Sequence, residues 1–193
     1  TGEAKTIKSN DVKINSEVFF EEENSISLID DFYLKSRLTH VAGTWNTNGH
    51  KVTFETDYRT LGTKPKTINL GASQIYLTST SSFFDSSLLS VTVNAGTSHF
   101  YYSALSVNYA GMRNNANQTF YNVTFNSSMG AISGGAKYNR ADFKGNGSIS
   151  GSSTFKDVVF TAGKTYNLGA NTTQTIENLT LGGTPCDVTF VQS

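Results

Sequence analysis

The chain has 193 residues, enough for one sizeable core, and its 15 Lys and Arg balance 15 Asp and Glu to a formal charge of zero. That balance provides no basic field for nucleic acid or an anionic membrane, and no apolar run approaches the roughly 18 residues that a membrane-spanning helix needs. The single cysteine, Cys186, excludes an intrachain disulfide and a thiolate metal cluster. Only 16% of residues are charged, Pro occurs twice, and Gly, Ser, Thr and Asn abound beside 13 Phe and 9 Tyr. Strands, turns and large apolar anchors are what such a composition favours, so the chain is expected to be a packed all-β protein.

The cap of the chain's open end is expected in the first residues, TGEAKTIKSND (1–11), or in a neighbouring domain. Strand-like runs with alternating apolar positions follow in VKINSEVFFEE, SISLIDDFYLKS, LTHVAGTW, HKVTFETDY, KTINLGASQIYLTST, LLSVTVNAGTSHFYY and ALSVNYAG. Turn clusters such as NTNG and LGTKPK part them, and no stretch sustains a helical period. The stretch YAGMRNNANQ reads as a loop protruding from a corner.

Beyond it the chain repeats itself. TFYNVTFNSSMGAISGGA starts at Thr119, KYNRADFKGNGSISGSS at Lys137, TFKDVVFTAGKTYNLGANT at Thr154 and TIENLTLGGTPCDVTFVQS at Thr175. Their anchors Phe120, Tyr138, Phe155 and Ile176 recur with a drifting period of roughly twenty residues, short enough for each unit to be one rung of a stack. Each anchor leads an apolar pair at strand spacing: Val123 and Phe125, Ala141 and Phe143, Val158 and Phe160, Leu179 and Leu181. A second short strand follows in each unit, carried by Ile132, by Ile149, by Tyr166 with Leu168, and by Val188 with Phe190. Gly130, Gly134, Gly135, Gly145, Gly147, Gly151, Gly163 and Gly169 are read as corners between strands. Two or three strands in about twenty residues is the arithmetic of a solenoid. The expected fold is therefore a right-handed parallel β-helix with irregular rungs of about 17–22 residues. It forms a single domain over 1–193, with less regular rungs or a cap over 1–42 and repeat rungs over 43–193. A β-sandwich is the alternative, because seven or more short strands at about ten-residue spacing suit it too.

The phrases SLIDDFYLKSRLTHVAGTWNTNGHKVTF, TINLGASQIYLTS, LLSVTVNAGTS and FKDVVFTAGKTYNLGANTTQTIENLTLGG resemble repeats of large secreted surface proteins of the Bacteroidetes, including those related to gliding-motility adhesins. The likeness covers roughly residues 12–190. It implies a right-handed parallel β-helix within a much longer chain, exported by the type IX route and displayed outside the outer membrane. The family continues past a phrase like Pro185, Cys186, Thr189, Gln192 and Ser193, so the chain is expected to be a fragment. The resemblance implies no catalytic residue.

Little in the residues points to chemistry. His40, His50 and His99 are scattered without metal-ligand spacing and read as surface or turn histidines. Glu21, Glu22, Glu23, Asp30 and Asp31 form an acidic concentration, read as a solvated edge in preference to a Ca²⁺ site. In IDDF, Ile29 and Phe32 are expected to point inward. Asp142, Asp157, Glu177 and Asp187 occupy different places in their repeats, Asp187 in a later strand, so no paired acid/base site follows. Trp45, Tyr58, Tyr76 and Tyr166 are read mostly as filling the coil. Tyr101, Tyr102, Tyr109 and Tyr121, near the expected loop, are the candidate ligand contacts. Asn117, Asn122, Asn126, Asn146, Asn171 and Asn178 each begin an N-x-[ST] sequon, which chance provides in a chain so rich in Asn, Ser and Thr, and they read as inward or corner amides bonding between rungs. The expected function is a non-enzymatic structural or adhesive segment of a secreted bacterial surface protein, needing no cofactor and making weak, multivalent contact with an external surface or polysaccharide. Its other partner is the rest of its own chain. The alternative is an extracellular carbohydrate-active β-helix, either a polysaccharide lyase or hydrolase or a glycan-binding module.

Overall fold

The computed structural model describes residues 4–103, 110–184 and 187–193. Among the described residues, twenty-three strands wind into a parallel β-helix of about nine coils. The first five coils have three strands each. They are β1 (Lys5–Ile7), β2 (Lys13–Ile14) and β3 (Val18–Phe20); β4 (Ser25–Leu28), β5 (Phe32–Leu34) and β6 (Leu38–His40); β7 (Gly43–Asn46), β8 (Val52–Phe54) and β9 (Tyr58–Thr60); β10 (Lys66–Asn69), β11 (Gln74–Leu77) and β12 (Phe83–Asp85); β13 (Val91–Asn94), β14 (His99–Tyr102) and β15 (Ala110–Arg113). The last four coils have two: β16 (Thr119–Phe125) and β17 (Met129–Ser133); β18 (Lys137–Phe143) and β19 (Asn146–Ser150); β20 (Thr154–Phe160) and β21 (Thr165–Leu168); β22 (Thr175–Leu181) and β23 (Phe190–Gln192).

Every strand pairs in parallel with its equivalents in the coils before and after, which rules out the antiparallel faces of a sandwich. The anchors align as expected: Phe120 pairs with Tyr138, Tyr138 with Phe155, and Phe155 with Ile176. The third and fourth coils exceed the expected length, since Trp45 pairs with Ile68 and Ile68 with Val93. A three-sided coil turns three corners, and each corner consumes residues that a two-sided coil spares.

The change of section happens at β16. Its first residue pairs with β13 (Asn94 with Thr119), while its second half pairs with β14 (His99 with Asn122, Phe100 with Val123). The segment Ala95–Ser98 separates β13 from β14, but only Phe120 and Tyr121 separate the positions paired to them. The corner is therefore cut straight across. In the third, fourth and fifth coils that corner is built on left-handed residues, Asn48 (φ 54°) with Gly49 (φ 80°), Gly71 (φ 56°) and Gly96 (φ 57°). Tight i→i+3 bonds close it, from the His50, Ser73 and Ser98 amides to the carbonyls of Thr47, Leu70 and Ala95, each at 3.0 Å. Outside the strand ends, Asn46, Asn69 and Asn94 form an amide ladder with bonds of 2.6 and 2.7 Å.

Inside, large rings pack against one another within and between coils, some face to face and some edge to face. One series runs Trp45, Tyr58, Phe84, Phe100, Phe120, Tyr138 and Phe155, with successive centroids 4.5 to 5.8 Å apart. A second runs Tyr102, Phe125, Phe143 and Phe160 at 4.8, 4.8 and 5.5 Å. All are buried, and each such pair adds about 0.5–1.5 kcal/mol beyond the area it removes from water.

Several expectations are corrected here. Gly130 and Gly147 are not corners; they lie within β17 and β19, facing inward and buried. A Cβ at Gly147 would sit 2.6 Å from Phe143 Cδ1, and one at Gly130 would sit 2.6 Å from Phe125 Cβ, so each glycine is the hollow that accepts the phenylalanine preceding it in its own coil. In the next coil Tyr166 takes the place of Gly147, the corner lengthens to residues 161–164, and Phe160 stacks on Tyr166 at 3.8 Å. Ile29 is 49% exposed, because the IDDF turn is fastened through its aspartates: Asp30 accepts the Ser9 and Asn10 amides at 2.7 Å each, and Asp31 that of Lys51 at 2.9 Å. Val188 lies outside the last strand, where Val191 continues the file of Tyr166, and Phe190 is exposed. Asp187 makes only an isolated bridge with Thr184. His40 is buried, not on the surface: its Nδ1 shares a 2.8 Å hydrogen bond with the Tyr58 hydroxyl and its Nε2 lies 3.1 Å from the Gly43 carbonyl. Burial holds its pKa down to about 4.

Candidate functional site

Because strand residues alternate, the sheet that packs Phe32, Ile75, Phe100 and Val123 inward must present their neighbours outward. Register places Lys13, Tyr33, Thr53, Tyr76, Tyr101, Thr124 and Asp142 in one outward file. Gln74, His99, Asn122, Arg140 and Asp157 form the next file. Coils rise about 4.8 Å apiece, which is close to a stacking distance, so outward rings in one file meet face to face.

Tyr76 and Tyr101 do so, with centroids 4.9 Å apart and planes within 15°. His99 lies against Tyr101 at 4.0 Å, and its Nε2 is 2.8 Å from the Thr124 hydroxyl. Partial burial lowers the His99 pKa and raises that of Tyr101, which favours the neutral form of both rings. Lysines border the file: Lys51 Nζ stands 4.9 Å over the Tyr76 ring and Lys13 Nζ 4.4 Å over the Tyr33 ring. The Tyr33 hydroxyl donates to Glu55, which raises the phenol's pKa. A pit of about 190 Å³ opens beside Tyr33, lined by Ser9, Asp11, Lys13, Asp31, Lys51 and Thr53 among others.

The structure separates the four tyrosines singled out from sequence. Tyr101 is in this plate. Tyr102, the next residue, is the correction: it faces inward with no exposure, its hydroxyl donating to the Gly111 carbonyl at 2.8 Å. In SHFYY the ring-bearing residues run on without a polar break, so the pattern alone could not say which of two adjacent tyrosines faces out. Tyr109 lies outside the described residues. Tyr121 is outward on β16, 37% exposed, and away from Tyr101, at the place where the coil narrows. Tyr33, Lys13 and Lys51 were missed; their signal is that each stands one residue beyond or before an inward residue of the second strand, at or beside the place that Tyr76 and Tyr101 occupy.

Several charged groups elsewhere are tied up, either within a coil or between coils. On the third sheet Arg59, Asp85 and Arg113 share an outward file beside a cleft of about 290 Å³. There Asp57 accepts Arg37 at 3.0 Å and the Phe83 amide at 2.9 Å, while Asp85 accepts the Ser87 amide and hydroxyl at 3.1 and 2.7 Å and lies 3.6 Å from Arg113. Asp142 is held by Arg140 at 2.9 Å, and Asp157 accepts the Asn178 amide at 3.0 Å. Glu22 pairs with Lys5 and Glu23 with Lys64 on the acidic edge. Among the described residues no three His, Cys, Asp or Glu side chains converge as metal ligands. The plate can therefore stack, donate and accept hydrogen bonds, and screen negative charge. Compared with family models, with curated proteins and with solved structures, the chain matches none.

Proposed function

We propose that the chain is a rigid, non-enzymatic segment of a secreted bacterial cell-surface protein, of the gliding-adhesin type, that makes weak multivalent contact with a substratum or glycan through its outward tyrosine plate. The observation that carries this reading is the Tyr76–Tyr101–His99 stack, flanked by Lys51 and supported from behind by a continuous aromatic core. Rings held one coil apart on a stiff rod lose little conformational freedom on contact, which favours many weak interactions acting together. Backbone ladders along the axis carry tension from coil to coil. No step of bond making or breaking is needed for this role.

A glycan array combined with a polysaccharide-digestion screen tests it. The expected result is retention on the array without release of product, and loss of retention in the Tyr76→Ala/Tyr101→Ala double variant with the far-UV spectrum unchanged. Release of sugar products by the wild-type chain would instead identify a carbohydrate-active β-helix.

A further inference from the structure

The narrowing of the coil creates a second feature. In the fifth coil the corner Ala95–Ser98 projects outward, and its Thr97 amide bonds down to the Gly71 carbonyl at 2.8 Å. The sixth coil has no such corner, since Phe120 and Tyr121 run straight from the position over Asn94 to the position over His99. The projecting turn is thus left as a ledge. Beside it opens a cleft of about 440 Å³, whose wall includes Ala95, Gly96, Thr119, Tyr121, Lys137 and Asn139. That volume is within the range of small-ligand sites.

The chemistry of the wall is specific. Its floor is the edge of the buried Phe120 and Tyr138 pair, so the base is apolar. Tyr121 offers an exposed ring and Thr119 a hydroxyl. The Asn139 amide nitrogen donates to Asn122 at 2.8 Å, which leaves the side-chain carbonyl oxygen of this wall residue as a further acceptor. Among the described residues Lys137 is the one charged residue of the wall, and Lys156 stands in the file of Tyr121 and Asn139 one coil further on. Neither lysine forms an ion pair among the described residues. Asp142 on the same strand is held by Arg140, and Asp157 and Glu177 lie by register on later coils; none of the three is in the cleft wall.

We infer that this ledge cleft is a subsite for an acidic sugar residue, a uronate within an anionic polysaccharide, with the pyranose ring on Tyr121, the carboxylate toward Lys137, and the hydroxyls toward Thr119 and Asn139. A ring with an apolar face, a rim of hydroxyls and a single negative charge matches a wall with one exposed ring, two neutral polar groups and one unpaired cation. The inference rests on the adhesive reading and names the ligand class.

Short oligogalacturonates and oligoguluronates, with their uncharged methyl esters, are titrated into the whole chain and followed by amide chemical shifts and calorimetry. The expected result is shifts at Tyr121, Lys137 and Asn139 with an acid form and not with its ester, weakened by salt. Tyr121→Ala is expected to weaken binding about tenfold, Tyr121→Phe to leave it unchanged, and Lys137→Gln to abolish the preference for the acid form. Tyr121 is exposed, so its variants keep the core intact. Shifts confined to Tyr76 and Tyr101 with acid and ester alike would overturn the subsite and leave the adhesive reading standing. Silence at both surfaces, together with a blank glycan array, would overturn both.

Discussion

Replacing Gly147 by alanine tests the hollow-and-ring packing. The added Cβ would lie 2.6 Å from Phe143 Cδ1 and 3.0 Å from both Phe143 Cε1 and Tyr166 Cδ1, where carbon atoms normally rest at about 3.5–4.0 Å. Phe143 cannot swing clear, because Phe125 stacks on one side at 4.8 Å and Phe160 stands on the other at 5.5 Å. Relief therefore needs a shift of about 1 Å in the ring or in β19, a degree of overpacking that costs about 1–3 kcal/mol. The smaller unfolded-state entropy of alanine offsets about 0.5–1 kcal/mol of this, leaving a net loss of up to about 2.5 kcal/mol. Phe143→Leu alone should cost about 1–2 kcal/mol by undoing the stack, while the double variant Gly147→Ala/Phe143→Leu places the new methyl in the space the ring vacates. Urea unfolding followed by far-UV circular dichroism gives the three values, and the expected coupling is at least about 1 kcal/mol in favour of the double variant. Additivity within about 0.5 kcal/mol would show that Gly147 is not there to admit the ring.

Three further outcomes follow from the coil. Unfolded His40 takes up its proton near pH 6.5 but the folded, buried ring does so only near 4, so the unfolded state binds more protons between these values and stability falls as pH drops through that window. The loss approaches roughly 3 kcal/mol, and the urea midpoint of His40→Leu should be less sensitive than wild type between pH 7 and 4.5; equal sensitivity would refute the burial argument. Asn69→Ala removes both the bond to Asn46 and the bond from Asn94, and should cost about 1–3 kcal/mol in the same assay. Leu77 and Leu181 occupy one inward file, but Leu77 is fully buried and Leu181 is 53% exposed, so Leu77→Ala should cost about 2–5 kcal/mol and Leu181→Ala under about 1.

The repeat from Thr119 onward was readable because in-register parallel stacking obliges each coil to place like residues over like. Phe120, Tyr138, Phe155 and Ile176 announce that register themselves. Before Thr119 the same rule holds, but corners of different length stretch the spacing, which is wider from Ile68 to Val93 than from Ile26 to Trp45. A drifting period conceals outward files, which is why the column Tyr33, Tyr76, Tyr101 was not assembled from sequence although each strand was. Glycines misled for a related reason. Gly134 and Gly151 do turn corners at φ 116° and 91°, whereas Gly130 and Gly147 occupy strands because a neighbour is large.

The amino-acid pattern by itself determined that this chain is all β and pointed to stacked coils, since periodicity and the recurrence of inward residues are local properties that need no partner to be read, while the parallel pairing that excludes a sandwich came from the folded coil. Which tyrosine faces water, where three sides become two, and which glycine makes room for a ring were decided only by the folded coil. Those features depend on what lies one winding above or below, a full coil away along the chain but a single strand spacing away in space, as Tyr138 lies over Phe155 and Ile68 over Val93.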